Sequence, residues 1–274
     1  MKKYRIAEYK ESKEFIKKYM TNKGDFAFIH YACQNFNNVQ HENSPRVTSI
    51  CILFAGSRQI YLFSMASIAE RESKDLSLAD DTLFDEYEMK LLAEFYSFLK
   101  TDKTAKSIKY WLHWNMKDHN YGFEALSQRY LKLSRKKKVP FQIDFDRRVD
   151  ISLLLTKRYG INYIDHPRLP NLLEMNSIQP LNLMNGQDEA KAFDDKEFIK
   201  IDRSIQAKVQ AFSEIIERSA NSELKTKSKL LKDIYGISLL GILEYVKENA
   251  ILGIIASLIG GIIVNIICHA AFGW

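Results

Sequence analysis

"RVTSICILFAGSRQIYLFSM", Arg46 to Met65, is the stretch on which the fold turns. Two apolar runs rich in Ile, Phe and other strand formers flank "AGSR", whose composition suits a tight turn, so the segment predicts strand, turn, strand. Just upstream, "DFAFIHYACQNF" (Asp25 to Phe36) has the same make-up, and the three runs together predict a meander.

Working outward, "DTLFDEYEMKLLAEFYSFLK" (Asp81 to Lys100) places Phe84, Tyr87, Met89, Leu91, Leu92, Phe95 and Leu99 near helical spacing behind an acidic first turn. "SIKYWLHWNM" (Ser107 to Met116) predicts a fourth strand, and the segment from Asn120 to Leu133 a helix with Phe123, Leu126, Tyr130 and Leu133 on one face. "VPFQIDF" reads as a short strand. "DISLLLTKRYG" reads as a helix with Asp150 as cap and Gly160 as stop. A short helix follows in "PRLPNLLEMN", then one or two amphipathic helices from Asp188 to Ser219 and a polar linker. At the other end, residues 1 to 20 form an amphipathic helix or arm. No internal repeat is present.

Hydrophobic residues make up 46% and charged residues 27% of the 274, a balance that excludes wholesale disorder. Forty basic against 34 acidic side chains leave +6, a modest bias toward polyanions such as nucleic acid or anionic lipid. Cys33, Cys51 and Cys268 are odd in number and lack metal-type spacing, which points to a reducing compartment. "MKKYRIAEYKESKEF" carries no apolar run behind its lysines and is not a secretory signal. The six histidines lack zinc-site spacing, and no phosphate-binding loop or nucleophile elbow occurs.

The C-terminal end differs in kind. "ILGIIASLIGGIIVNIICHAAF" (Ile251 to Phe272) is about 33 Å long as a helix, against a hydrocarbon core of roughly 30 Å. The expectation is one transmembrane helix over 250–272, with 220–249 as linker and interfacial segment, of which Gly236 to Val246 reads as interfacial or as a stalk, and 1–219 as the main domain. Lys225, Lys227, Lys229 and Lys232 on its N-terminal side keep that domain cytoplasmic, in a single-pass protein of the bacterial inner membrane. Gly253, Ser257, Gly261, Asn265 and His269 recur every fourth residue, a small and polar stripe suited to packing against sister copies or lining a pore.

The order strand, strand, strand, helix, strand, helix, then further helices resembles the ribonuclease H fold of the DEDD 3′ to 5′ exonucleases, over roughly Asp25 to Ser219. "WLHWNMKDHNYGFEAL" carries the likeness furthest: Asn115 and Leu126 match a strand that ends in asparagine before a leucine-bearing helix. "FIKID" resembles the family's aromatic followed four residues later by aspartate, here Phe198 and Asp202, with Asp188 in "GQDEA" competing for the role; "LPNLLEMNSI" resembles the short leucine-rich helix before it. The resemblance implies an α/β mixed sheet with flanking helices and two Mg²⁺ or Mn²⁺ ions held by four carboxylates, two of them on the first strand. That strand here offers His30, Cys33 and Gln34, with Asp25 only at its start, and Tyr121 or Gly122 stands where an aspartate belongs unless Asp118 has shifted in. A catalytically silent site without cofactor is therefore expected. If the site is active, Asp118, Asp188 and Asp202 carry it, within an acidic set that adds Asp25, Glu86 and Glu88.

Binding outlives the loss of catalysis. Arg135, Lys136, Lys137 and Lys138, with Lys132, Arg147 and Arg148 nearby, suit phosphates, while Trp111, Trp114 and Tyr121 suit base stacking beside Asn115. The expectation is a homo-oligomeric membrane effector of antiviral defence that senses a nucleic acid, a nucleotide or a regulatory partner protein. The alternative is a membrane-tethered metal-dependent exonuclease.

Overall fold

The computed structural model describes residues 2–34, 45–117, 121–236 and 239–272. The chain divides into two compact units: Lys13–Leu154 with Asp165–Lys225, and Met1–Ser12 with Leu155–Ile164 and Thr226–Trp274.

The larger unit is built on a five-stranded mixed sheet of β1 (Phe26–Cys33), β2 (Val47–Phe54), β3 (Ile60–Ser64), β4 (Tyr110–His113) and β5 (Arg148–Asp150), in spatial order β3-β2-β1-β4-β5. β1, β2 and β3 form the antiparallel meander, with Ala27 opposite Phe54 and Ser49 opposite Ser64. β4 and β5 run parallel to β1. β1 and β2 do not alternate between apolar and polar residues, and both are buried on each face, with His30 in β1 and Thr48 and Ser49 in β2 as their buried polar side chains. The hairpin between β2 and β3 turns at Gly56, where a Cβ would stand 2.9 Å from the Cα of Gly24.

Helices cover both faces. The long α9 (Phe198–Ala220) packs on β1 and β2 and meets the face carrying His30, whose ring lies 5.4 Å from that of Phe212. On the other face α3 (Asp81–Thr101), capped by Asp80 onto the Leu83 N–H at 2.8 Å, sets Phe95 and Phe98 against Phe63 and Tyr61 of β3. α5 (Phe123–Ser134) lies beside α3 and joins it through a buried ion pair, Arg129 Nε donating to Glu88 Oε1 at 2.7 Å. Shorter helices complete the unit: α2 (Met65–Arg71), α4 (Lys103–Ser107), α7 (Arg168–Met175) and α8 (Gly186–Asp194), α4 being started by the Asp102 carboxylate. Two helices, not one, thus occupy 186–220.

"VPFQIDF" is not a strand. The backbone there is irregular up to a short 3₁₀ turn at Phe145–Arg147, and β5 starts at Arg148. Arg148 explains the shift, since its Nε and Nη2 donate to the Ile143 carbonyl at 2.9 and 2.8 Å, taking an acceptor that a strand ladder would use. Asp150 does cap the following helix, α6 (Ile151–Tyr159), through the Ser152 N–H at 2.9 Å, and Gly160 stops it at φ +92°, while the expected N-terminal helix is α1 (Lys2–Thr21).

The smaller unit gathers Tyr9, Ile234 and Tyr235, with Tyr235 edge-on to both Tyr9 and Tyr245. It contains the two last helices, α10 (Leu239–Glu248) and α11 (Ala250–Phe272). Among the described residues no single helix is long and apolar enough to cross a membrane. Gly241–Lys247 and Ile251–Ile266 qualify only as a pair, bent by 107°.

Candidate functional site

In open α/β sheets, ligands sit beyond the carboxyl ends of the parallel strands where the winding reverses. Here the chain lays β2 and β3 on one side of β1 and then β4 and β5 on the other, so the reversal falls between β1 and β4. The side chains at those strand ends are His30, Cys33, His113 and Asp150, joined by Tyr121 from the approach to α5.

His30 is buried and neutral: burial, then the Lys208 ammonium, then His113 hold its pKa well below the usual histidine value. Tyr121 Oη lies 3.4 Å from both of its ring nitrogens and donates to the Tyr31 carbonyl at 3.0 Å. His113 Nδ1 accepts the Met116 N–H at 3.1 Å, which places the neutral ring's proton on Nε2. Burial lowers its pKa to about 4, with Asp150 pulling the other way. Asp150 is committed to Ser152 N–H, Asn115 N–H and the Lys117 ammonium at 3.1 Å. Cys33 is raised by burial to about 12 and stays a thiol, and a thiol is no nucleophile.

The acids that the exonuclease resemblance brings forward do not converge. Asp25 precedes β1 and pairs with Lys109 at 3.1 Å, Glu86 pairs with Lys90 on its own helix, and Glu88 is locked to Arg129 on the α3 side of the sheet. Asp202 is buried and accepts Ser64 Oγ at 2.5 Å, while Asp188 is exposed in the first turn of α8. Asp118 lies outside the described residues. Among those described, no three metal-ligating side chains gather. Two Mg²⁺ or Mn²⁺ ions do not fit the end of β1 either: its side chain there is an imidazole walled by Phe212 and facing an ammonium, which repels a cation.

The ligand-binding candidates are scattered too. Trp111 is fully buried; Trp114 is buried in a stack on Phe212 at 6.0 Å, and Tyr121 is half-buried in a stack on Tyr31 at 4.6 Å. The rings expected to stack on bases therefore stack on protein. Asn115 is exposed with φ +55°, in the left-handed region that asparagine tolerates at a strand end. Arg135 at φ +55° ends α5, and Lys136 Nζ reaches Tyr130 Oη at 3.3 Å. Arg135, Lys137 and Lys138 are exposed, whereas Arg147 and Arg148 bind the carbonyls of Ile108 and Ile143.

The sequence reading missed a second polar group beside His30. Lys208 Nζ lies 2.6 Å from Glu189 Oε2, and Ser204 Oγ donates to Glu189 Oε1 at 2.7 Å. A cleft of about 710 Å³ bounded by Leu173, Leu183 and Met184 opens onto Lys208. The visible signal was Lys208 itself, a charge interrupting the Ile201, Ile205, Phe212, Ile215 stripe of α9.

In the tail, Ser257 Oγ donates to the Gly253 carbonyl at 2.8 Å, and Ser257, Gly261 and Asn265 line one groove of about 410 Å³ with Leu258, Ile262 and Ile266. His269 lies one helical step further along α11. Ile251, Ile254, Leu258, Ile262 and Ile266 each leave 60% or more of their surface uncovered, and Ile255, Ile259 and Ile263 about half.

Comparison with known proteins finds no protein-family model, no curated protein and no solved structure that matches this chain.

Proposed function

We propose that the chain is a membrane effector: a catalytically silent, exonuclease-like domain of the ribonuclease H type senses a nucleic acid, a nucleotide or a partner protein, and the tails of several copies assemble to breach a bilayer. Cell suicide in bacterial antiviral defence is the setting that suits such a device. The observation that carries this reading is α11, which offers apolar side chains on nearly every side and leaves about half or more of most of them uncovered. Water is a poor neighbour for such a surface, and contiguous apolar patches of this kind mark interaction with lipid or protein.

Ile251–Ile266 is about 24 Å long, most of a hydrocarbon core of roughly 30 Å, and the apolar sequence continues to Phe272. The bend before it suits an α10 that lies along the interface. Ser257, Gly261 and Asn265 form the one face that lipid cannot satisfy, so that face turns to sister copies or to water. On the sensing side, the observed element order contains the one on which the exonuclease likeness rests, with α2, α4 and the fifth strand β5 added. Silence is supported by His30 and Lys208 where that chemistry needs carboxylates and metal.

The test is dye release from vesicles of phosphatidylethanolamine and phosphatidylglycerol on adding purified full-length protein. Wild type is expected to empty them, and Ser257→Leu with Asn265→Leu to insert but release at least tenfold more slowly. Equal release by both would remove the conducting stripe. Mg²⁺-dependent degradation of single-stranded DNA would instead establish the tethered exonuclease.

A further inference from the structure

We infer that a cavity in the larger unit, distinct from the strand-end site, binds a nucleoside phosphate, with its phosphates on Lys74 and Arg203 and its base on Ile199. The cavity holds about 580 Å³ between α2, the turn that follows it and the first turns of α9, within the 300–1,000 Å³ usual for small-ligand sites. This assignment rests on the sensing role proposed above and names both its ligand class and its place.

Three features of the lining select the ligand. First, Lys74 and Arg203 both face the cavity, and neither side chain has a hydrogen bond or ion pair among the described residues. Lys196, the third cation there, is engaged with the carbonyls of Ser77 and Ala79 at 2.6 and 3.2 Å. Two uncompensated cations on one concavity suit a phosphate, whose oxygens accept charge-assisted hydrogen bonds from both. The first turn of α9 lines the same wall without a side-chain cap, and its dipole favours an anion there as well.

Second, the cavity also has acceptors. Glu70 has no partner among the described residues, and Asp202 lies at the buried end against Ser64. Asp75 is the acid already committed, accepting the Ser77 N–H at 2.8 Å. Inorganic phosphate or pyrophosphate gives Glu70 nothing to bind and would meet it as a like charge. A base with an exocyclic amine, adenine, guanine or cytosine, supplies the missing donors.

Third, Ile199 offers an apolar surface between the two polar ends. Ile199 is 60% exposed, and a flat base laid over it would cover that apolar face.

The experiment titrates full-length protein in detergent with ATP, GTP, CTP, UTP and pyrophosphate by calorimetry, and repeats it with Lys74→Ala, Arg203→Ala and Glu70→Gln. All three substituted residues are exposed, and circular dichroism checks that each variant folds. At least one amine-bearing nucleotide is expected to bind at micromolar levels, tenfold or more above UTP and pyrophosphate. Lys74→Ala and Arg203→Ala should each weaken it about tenfold, and Glu70→Gln should narrow the margin over UTP. No heat from any nucleotide, binding indifferent to Lys74→Ala and Arg203→Ala, or equal affinity for pyrophosphate overturns the assignment. Vesicle leakage is scored separately: retained leakage with no nucleotide binding sinks this site alone, and binding without leakage sinks the membrane reading alone.

Discussion

Asp202 and His113 load the larger unit's stability with opposite pH slopes. Burial pushes the Asp202 carboxyl from its ordinary 3.8 up to about 6, against the pull of the Ser64 and Ser49 hydroxyls. The folded state therefore holds that proton more tightly than the unfolded chain; the contribution is complete below pH 3.8 and is lost as pH rises through 6. For His113 the folded value falls from 6.5 to about 4, so its contribution is present above pH 6.5 and is lost as pH falls through 4. Each corresponds to about 3 kcal/mol at most. His30 adds to the histidine slope, and Glu88, raised by burial, adds to that of Asp202. Asp202→Asn keeps an acceptor for Ser64 and removes the opposing slope. The expected outcome is a higher urea midpoint at pH 7.5, on the order of 1–3 kcal/mol, that shrinks to nothing near pH 4; a gain of the same size at both pH values would mean that Asp202 is charged in the fold. The aspartate was legible in the sequence only as part of "FIKID". That it faces Ser64 depends on Ser49 and Ser64 sharing a register position across β2 and β3, and no local pattern encodes that.

Elements were more legible than their surroundings. The three-strand meander, α3, α5 and the Asp150 to Gly160 helix all follow from apolar runs, caps and stops carried in their own residues. What escaped depends on distant partners. β5 is three residues long and is placed by Arg148 reaching back to Ile143; β4 ends at His113, three residues short of the expected strand, because the Met116 N–H bonds the His113 ring. α2 begins at Met65, the residue after β3, where Ser64 turns from strand to cap by accepting the Ser67 N–H at 3.2 Å. The β2–β3 hairpin shows the same dependence. Gly56 looks like an ordinary turn glycine, yet its constraint is the backbone of Gly24 at 2.9 Å from where a Cβ would go. Backbone cannot swing aside as a side chain can, so Gly56→Ala must open the hairpin or shift Lys23–Asp25. A loss of about 1–3 kcal/mol is expected, whereas Gly24→Ala, with open space around its own Cβ, should cost less than half of that. Equal losses in urea titration would show that the approach is not tight.

For the whole molecule, the question is where the uncovered surface of α11 goes, because lipid and protein partners make different demands on its two sides. Ile255 and Ile259 lie on the side away from Ser257, Gly261 and Asn265, and both are about half exposed. If that side meets hydrocarbon, an arginine at each position near the helix centre costs about 2.5–3.5 kcal/mol, about 5–7 for the pair. That is enough to lower partitioning more than a thousandfold. Ile255→Arg with Ile259→Arg should therefore leave the full chain in the aqueous layer when vesicles are floated through a density gradient, although its net charge has risen and attraction to an anionic surface has strengthened. Ser257→Leu with Asn265→Leu, on the opposite side, should float as wild type does. The two variants separate entry into the bilayer from what the tails do once inside. Should the arginine pair float with neutral phosphatidylcholine vesicles as readily as wild type, the isoleucine side does not meet hydrocarbon; should neither float, α11 is an assembly helix in water.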